Sequence, residues 1–251
     1  MDTKASLTFL ERGHIYFFYR PKVQESSTAT VQPQNLEALQ RFFLILQPSS
    51  RQYFRLLILG RKRLPNPEEH EKHWAHVEVV TEDRNALLQS LKEQHYATKT
   101  RGERILPEVR TAGEGVYGII AAKKITYLAY QLELPQRVGA VQKELEIEPE
   151  AIYVLSVKNQ DLAGVQGGKK AEFPADLSAK FADRRFIPVN PVNFLDYTGA
   201  ELLLVGVSTE IQATLGIKLK QATETLDTAE IFNQLKLWKN EHPIFPASWA
   251  P

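Results

Sequence analysis

The chain has 251 residues, 43% hydrophobic and 24% charged, an ordinary globular composition with length for one large domain or two small ones. Its 31 Lys and Arg nearly cancel 30 Asp and Glu, and the resulting formal charge of +1 argues against a dedicated DNA- or RNA-binding protein. Having no cysteine, it lacks disulfides, thiolate nucleophiles, iron–sulfur clusters and cysteine-ligated zinc.

The first residues carry no apolar run of the secretory type, and no segment approaches the ~18–20 apolar residues of a membrane helix. The expectation is a cytoplasmic protein that does not insert in a membrane. The segment Gly13–Pro21 (GHIYFFYRP) predicts a strand, with Ile15, Phe17 and Tyr19 on one face and Tyr16 and Phe18 on the other; apolar on both faces, it needs cover on both. Polar, aperiodic Val23–Asn35 predicts a loop, and NLEALQR a short helix. Phe42–Pro48 and Tyr53–Gly60 predict two strands of a hairpin turning at SSRQ. His73–Val80 alternates, with Ala75, Val77 and Val79 facing one way and Trp74, His76 and Glu78 the other. A helix follows, capped by Asp83, with Leu88, Leu91 and His95 on one face. Lys99–Gly115 predicts a charged loop. Gly115–Pro135 is the clearest hairpin, with Lys123-Lys124 at its turn and Thr126, Leu128, Tyr130, Leu132 and Leu134 on an apolar face. GAVQKELEI predicts a short helix and Ala151–Val157 a strand.

Lys158–Phe173 is the strongest linker signal, which places a boundary at 159–172 between units 1–158 and 173–251. The second unit holds a short helix at PADLSAKF, a Pro/Asn-rich loop and a strand at Ala200–Val207. A final helix follows, with Asp227 and Glu230 at capping-box spacing and Ile231, Leu235 and Trp238 on a face, and then an extended aromatic tail. IYFFY, LLILG and a helix recur in order as IYVLS, LLLVG and a helix; read as a duplication, this predicts two related halves meeting near Gly167. The fold class expected is α+β, mainly antiparallel sheet with a few short covering helices.

Several segments invite chemistry. Arg61, Lys62 and Arg63 follow a strand end at Gly60, where cations can meet a phosphate or carboxylate, although three like charges specify no ligand geometry and are usually just solvated. His70, His73 and His76 suggest zinc, but HEKH is one residue short of HExxH, and on a strand His73 and His76 point to opposite faces; no metal is assigned. Gly164–Lys170 misses the phosphate-loop spacing by one residue and has lysine where the magnesium-binding hydroxyl belongs. The carboxylates Glu144, Glu146, Glu148 and Glu150 resemble a solvated helix end, and the strand aromatics beside Arg20, Arg51 and Arg55 suit a core better than a base-stacking surface. No catalytic signature occurs, and no cofactor is expected.

RLLILGRKRLP, taken with YLAYQLELP, GAVQKELEIEPEAIYVLSVKN and FLDYTGAELLLVG, resembles a family of bacterial hypothetical proteins found notably in cyanobacteria. The resemblance spans most of the chain and implies a bacterial, cytosolic setting and no particular activity or ligand. The leading functional expectation is therefore a non-enzymatic binding or assembly protein whose partner is another protein, docked through Phe245 and Trp249 in the tail. The rival is an anion or nucleic-acid phosphate binder using Arg61, Lys62, Arg63, Lys123 and Lys124, and a third is a metal-assisted hydrolase at His70–His76.

Overall fold

A computed structural model gives the protein over residues 6–22, 24–25, 35–99, 102–166 and 168–219. The aromatic run after His14 lies in a long strand, β1 (Leu7–Pro21). Its two apolar faces are both used: Ile15, Phe17 and Tyr19 enter one core, Tyr16 and Phe18 another, and all five are fully buried. After β2 (Gln24–Glu25), the expected NLEALQR helix is only a 3-10 turn at Leu36–Ala38, capped by the Asn35 side chain. β3 (Leu39–Pro48) takes over at once because its aliphatic residues pair with β1. The expected hairpin follows as β4 (Phe54–Leu59), and the alternating segment is β5 (Lys72–Thr81).

Helix α1 (Arg84–Leu91) starts where Asp83 accepts from the Asn85 amide, as its sequence predicts. It ends sooner than expected. Leu87 and Leu91 are its buried residues, and His95 belongs to a strand, β6 (Gln94–Thr98). The loop expected at 99–115 contains β7 (Gly102–Leu106), hydrogen-bonded between β6 and β2, and the start of β8 (Arg110–Ala122). β6 and β7 escaped detection because they are mostly polar and largely exposed; pairing, not an apolar face, makes them strands.

The hairpin of β8 with β9 (Ile125–Leu134) turns at Lys123-Lys124 as expected. α2 (Ala140–Glu144) and β10 (Glu150–Lys158) follow, then α3 (Gln160–Ala163), α4 (Ala175–Phe181), β11 (Phe186–Pro188), a 3-10 turn at Val192–Asp196, β12 (Glu201–Ser208) and α5 (Ile211–Leu215).

The main sheet is antiparallel throughout and runs β10-β12-β5-β4-β3-β1-β8-β9. β10 then closes it. One side bonds β12 along Ile152–Val157, and the other bonds β9 over Glu150–Val154 before passing to β11 over Ser156–Lys158. The result is a closed eight-stranded barrel with no open edge among its staves, the geometry that removes the aggregation risk of an exposed strand edge. The expected mainly antiparallel sheet with few short helices is present; its closure was not expected. β12 is a stave between β10 and β5, so the barrel takes strands from both sides of the 159–172 boundary. Nor do IYFFY and LLILG sit like IYVLS and LLLVG: β3 lies between β1 and β4, whereas β10 and β12 are neighbours. The helix expected around Leu235 lies outside the described residues.

Barrels of this size leave an interior that side chains just fill. Phe17, Tyr19, Phe42, Tyr117, Tyr130 and Tyr153 fill it with aliphatic neighbours from every stave. The end carrying residues 60–71, here the upper end, is stopped by Val141 of α2 and by Leu145 just after it. The lower end is stopped by Phe194 and Leu195 of the second 3-10 turn. Outside, α1 covers Tyr16, Phe18, Phe43, Ile45 and Leu56, while α5 and Leu219 cover Ile120, Ala129 and Ile152.

Candidate functional site: a cleft on the outer face of the barrel

Each β5 side chain takes its place from the alternation of the strand. Ala75 and Val77 point inward. Lys72, Trp74 and His76 therefore share the outer face. Register sets Trp74 opposite Leu203 and His76 opposite Glu201 on β12. Next to Glu201, at the end of β10, stands Lys158, its Nζ 2.7 Å from Glu201 Oε2, with both side chains almost wholly buried. The same ammonium lies 5.2 Å from the centroid of the Trp74 ring, and Phe186 of β11 packs its ring 5.5 Å from the indole at a tilt. The chain after α3 folds over this group, and the Gln166 amide donates to Glu201. Arg61, just past β4, completes the wall of a cleft of about 450 Å³ floored by Trp74.

Most of the charge around this cleft is already paired. Glu201 holds Lys158 and the Gln166 amide; His76 Nε2 lies 3.1 Å from Glu78. Arg61 and Lys72 are exposed, and among the described residues neither enters an ion pair. The cleft thus brings the partly exposed Trp74 indole together with two cations, Arg61 and Lys72, unpaired among the described residues.

The three consecutive cations of the sequence part company at this point. Lys62, with φ of 63°, turns back to donate to the Leu39 carbonyl at 2.5 Å. Arg63 is held bidentately by Glu71 at 2.7 and 2.8 Å and lies 3.5 Å from Glu146. Only Arg61 reaches the cleft. Lys123 and Lys124 sit at the β8–β9 turn, next to the pairing of Leu7 with Ala122, which is the lower end of the barrel. The five cations therefore lie at opposite ends of the molecule and form no common surface. Phe245 and Trp249 lie outside the described residues.

The histidines also diverge. His70 turns its Nδ1 to the Gly206 carbonyl at 3.1 Å, His76 faces outward, and His73 is buried at the upper end of the interior, its Nδ1 3.1 Å from the Arg63 carbonyl. Burial, with the charges of Arg63 and Arg61 adding to it, lowers the His73 pKa against the opposing pull of the Arg63 carbonyl bond and of Glu71; because a carbonyl can only accept, the ring donates through Nδ1. Glu71 is held below the usual carboxylate range, chiefly by its bond to Arg63, whereas burial raises Glu146. Among the described residues no group of three or more possible ligands is placed to hold a metal ion. The glycine-rich segment 164–170 serves the cleft through Gln166 and ties Lys170 to Asp161. Glu150 caps α5, accepting from the Ile211 amide at 2.7 Å. Tyr16, Phe17, Phe18, Tyr53 and Phe54 are core residues.

Sequence reasoning found Arg61 but missed Lys72, Trp74, Lys158, Gln166 and Glu201 as one site. The signal available was a charged residue at the end of each of two apolar strands, Lys158 in AIYVLSVK and Glu201 in ELLLVG; their pairing spans 43 positions and needs the barrel. Fold and cleft together define an antiparallel barrel with a filled interior and a cleft on its outer face. Compared with protein families, with curated proteins and with solved structures, the chain has no match. No helix among the described residues is long and apolar enough to cross a membrane.

Proposed function

We propose that the protein is a binding protein whose ligand is a planar aromatic anion, seated on Trp74 with its negative group between Arg61 and Lys72. The observation that carries this reading is the cleft's residual chemistry. Its buried charges, Lys158 and Glu201, satisfy each other, and the two cations left over, Arg61 and Lys72, line the same cleft as the Trp74 indole. Stacking on an aromatic ring is worth ~1–3 kcal/mol and tolerates many ring systems, while the cations select for charge. The barrel interior is no competitor for the ligand, because side chains of its own staves fill it. Aromatic carboxylates and nucleoside monophosphates share the required chemistry.

Tryptophan fluorescence tests the reading, with 2-naphthoate and AMP as probes and inorganic phosphate as the control. At low salt one aromatic probe is expected to quench emission saturably while phosphate alone does not. Trp74→Phe removes the quench in a protein that stays folded. Arg61→Ala and Lys72→Ala each weaken binding about tenfold, equivalent to ~1.4 kcal/mol. Wild-type affinity in both cation variants, or no saturable quench by either aromatic probe, sinks the proposal.

A further inference from the structure

A second cleft lies on the outer face one strand further round, and it presents a different chemistry. Its floor is apolar: Phe43 of β3, Leu56 and Ile58 of β4 and Val79 of β5. Its rim holds two arginines. Register places Arg20 of β1 directly opposite Arg41 of β3, and like charges in that position repel. Among the described residues neither enters an ion pair. Arg20 is only 3% exposed, yet among the described residues it makes a single hydrogen bond, from one terminal nitrogen to the Ser90 carbonyl at 2.8 Å; its Nε is buried without a partner, as is Gln40 Oε1 beside it. Burial first, and Arg41 second, pull the Arg20 pKa down to about 10 against the opposing charge of Glu108. A buried donor left unsatisfied is destabilising, so the pair stands in the protein at a cost that an anion would relieve. The one carboxylate of the cleft, Glu78, is engaged by His76.

We propose that this cleft is a binding site for a short amphiphilic carboxylate, its charged head on Arg20 and Arg41 and its chain along Phe43, Leu56, Ile58 and Val79. A guanidinium fork meets a carboxylate in two hydrogen bonds, and the ring of Phe43, 5.7 Å below the Arg20 guanidinium, continues into the apolar floor. The cleft measures about 330 Å³, the small end of ligand cavities, and so suits a short chain better than a long one. It shares no lining residue with the Trp74 cleft, and the inference stands independently of that site.

Calorimetric and NMR titration of the full chain with octanoate, octan-1-ol and acetate tests it. Octanoate is expected to bind saturably, with octanol and acetate at least tenfold weaker, and its affinity to fall as salt is added. Arg41→Gln, at an exposed position, and Arg20→Gln should each weaken octanoate at least tenfold. Arg41→Gln should also leave the melting temperature unchanged or raise it, because it removes the repulsion; a purely structural arginine would lower it. Trp74→Phe leaves octanoate binding intact, which separates this site from the first. Octanol binding as tightly as octanoate, no saturable octanoate binding, or wild-type affinity in Arg41→Gln overturns the proposal.

Discussion

Arg55 is the largest fully buried side chain among the described residues, and it is charged. Removing a guanidinium from water is costly, and the lower end of the barrel meets that cost with unusually full pairing. Glu11 of β1 holds Nη1 at 2.6 Å and Nη2 at 3.0 Å; Asp196, in the 3-10 turn before β12, accepts from Nε at 2.8 Å and Nη2 at 2.6 Å. Tyr117 of β8 donates to Glu11 at 2.7 Å, and Tyr53 to Asp196 at 2.8 Å. Burial alone would lower the pKa of Arg55, but the bonds and charge of Glu11 and Asp196 raise it above its ordinary value; burial, with the acids beside it, lifts Tyr53 to about 12. One side chain thus ties β1, β4, β8 and the approach to β12 at a single point. Arg55→Leu strands the Glu11 carboxylate in the interior and is expected to cost ~3–5 kcal/mol. Glu11→Leu strands the guanidinium likewise. The double change should lose at least ~1 kcal/mol less than the sum of the singles, read from urea unfolding. Additivity would show that the two charges do not interact through this network. Nothing in YFRLLILG marks Arg55 as buried, because its partners are 44 and 141 positions away.

At the scale of elements, local pattern carried furthest where a strand is apolar and bounded by glycine or proline. β1, β3, β4, β9, β10 and β12 were legible for that reason, and α1 through its Asp83 cap. Pattern failed where pairing decides. β6 and β7 are strands with little apolar surface. Bulges also move residues to the unexpected side: Val79 packs with the outer core because β4 and β5 slip between Leu56 and Leu57, and Leu134 does so because β8 and β9 slip between Glu114 and Gly115. The glycines of the staves record how closely the backbones approach. A Cβ on Gly13 would stand 2.0 Å from the Gln47 carbonyl oxygen, and one on Gly115 2.1 Å from that of Gln131. Both obstacles are backbone in paired strands and cannot swing away. Gly13→Ala and Gly115→Ala are expected to cost at least ~1–3 kcal/mol each, as overpacked sites do. Gly60→Ala, whose Cβ would meet nothing nearer than 3.4 Å, is the contrast and should fall within about 0.5 kcal/mol of wild type. Equal losses at all three positions would mean that backbone approach is not what these glycines provide.

Closure is a property of the whole molecule, and no window of sequence contains it. The pairings that seal the barrel join β10 to β9 on one side and, through β12, to β5 on the other, and the second of these reaches across the segment that composition marks as a linker. The stretch that composition marks as a linker falls between β10 and β12, which are neighbouring staves of one barrel, and a loop between two staves has the same composition as one between two domains. The candidate site shows the same limit. Arg61 and Trp74 come from one hairpin, but Glu201 and Gln166 reach them only when β12 docks on β5. The consequence can be tested on fragments. A chain ending at residue 158 keeps seven of the eight staves, and without β12 it leaves unpaired edges on β5 and β10, removes Leu202 and Leu204 from the interior, and loses Asp196 and Glu201, so that Arg55 keeps only part of its counter-charge and Lys158 loses its partner. Two independent units would predict a folded 1–158 fragment with sharp, dispersed amide resonances and a cooperative melt. The closed barrel predicts instead a fragment without a cooperative transition that aggregates through its open edges. Adding residues 159–219 as a separate chain should then restore the transition if the missing stave, rather than the length of the chain, is what the fragment lacks.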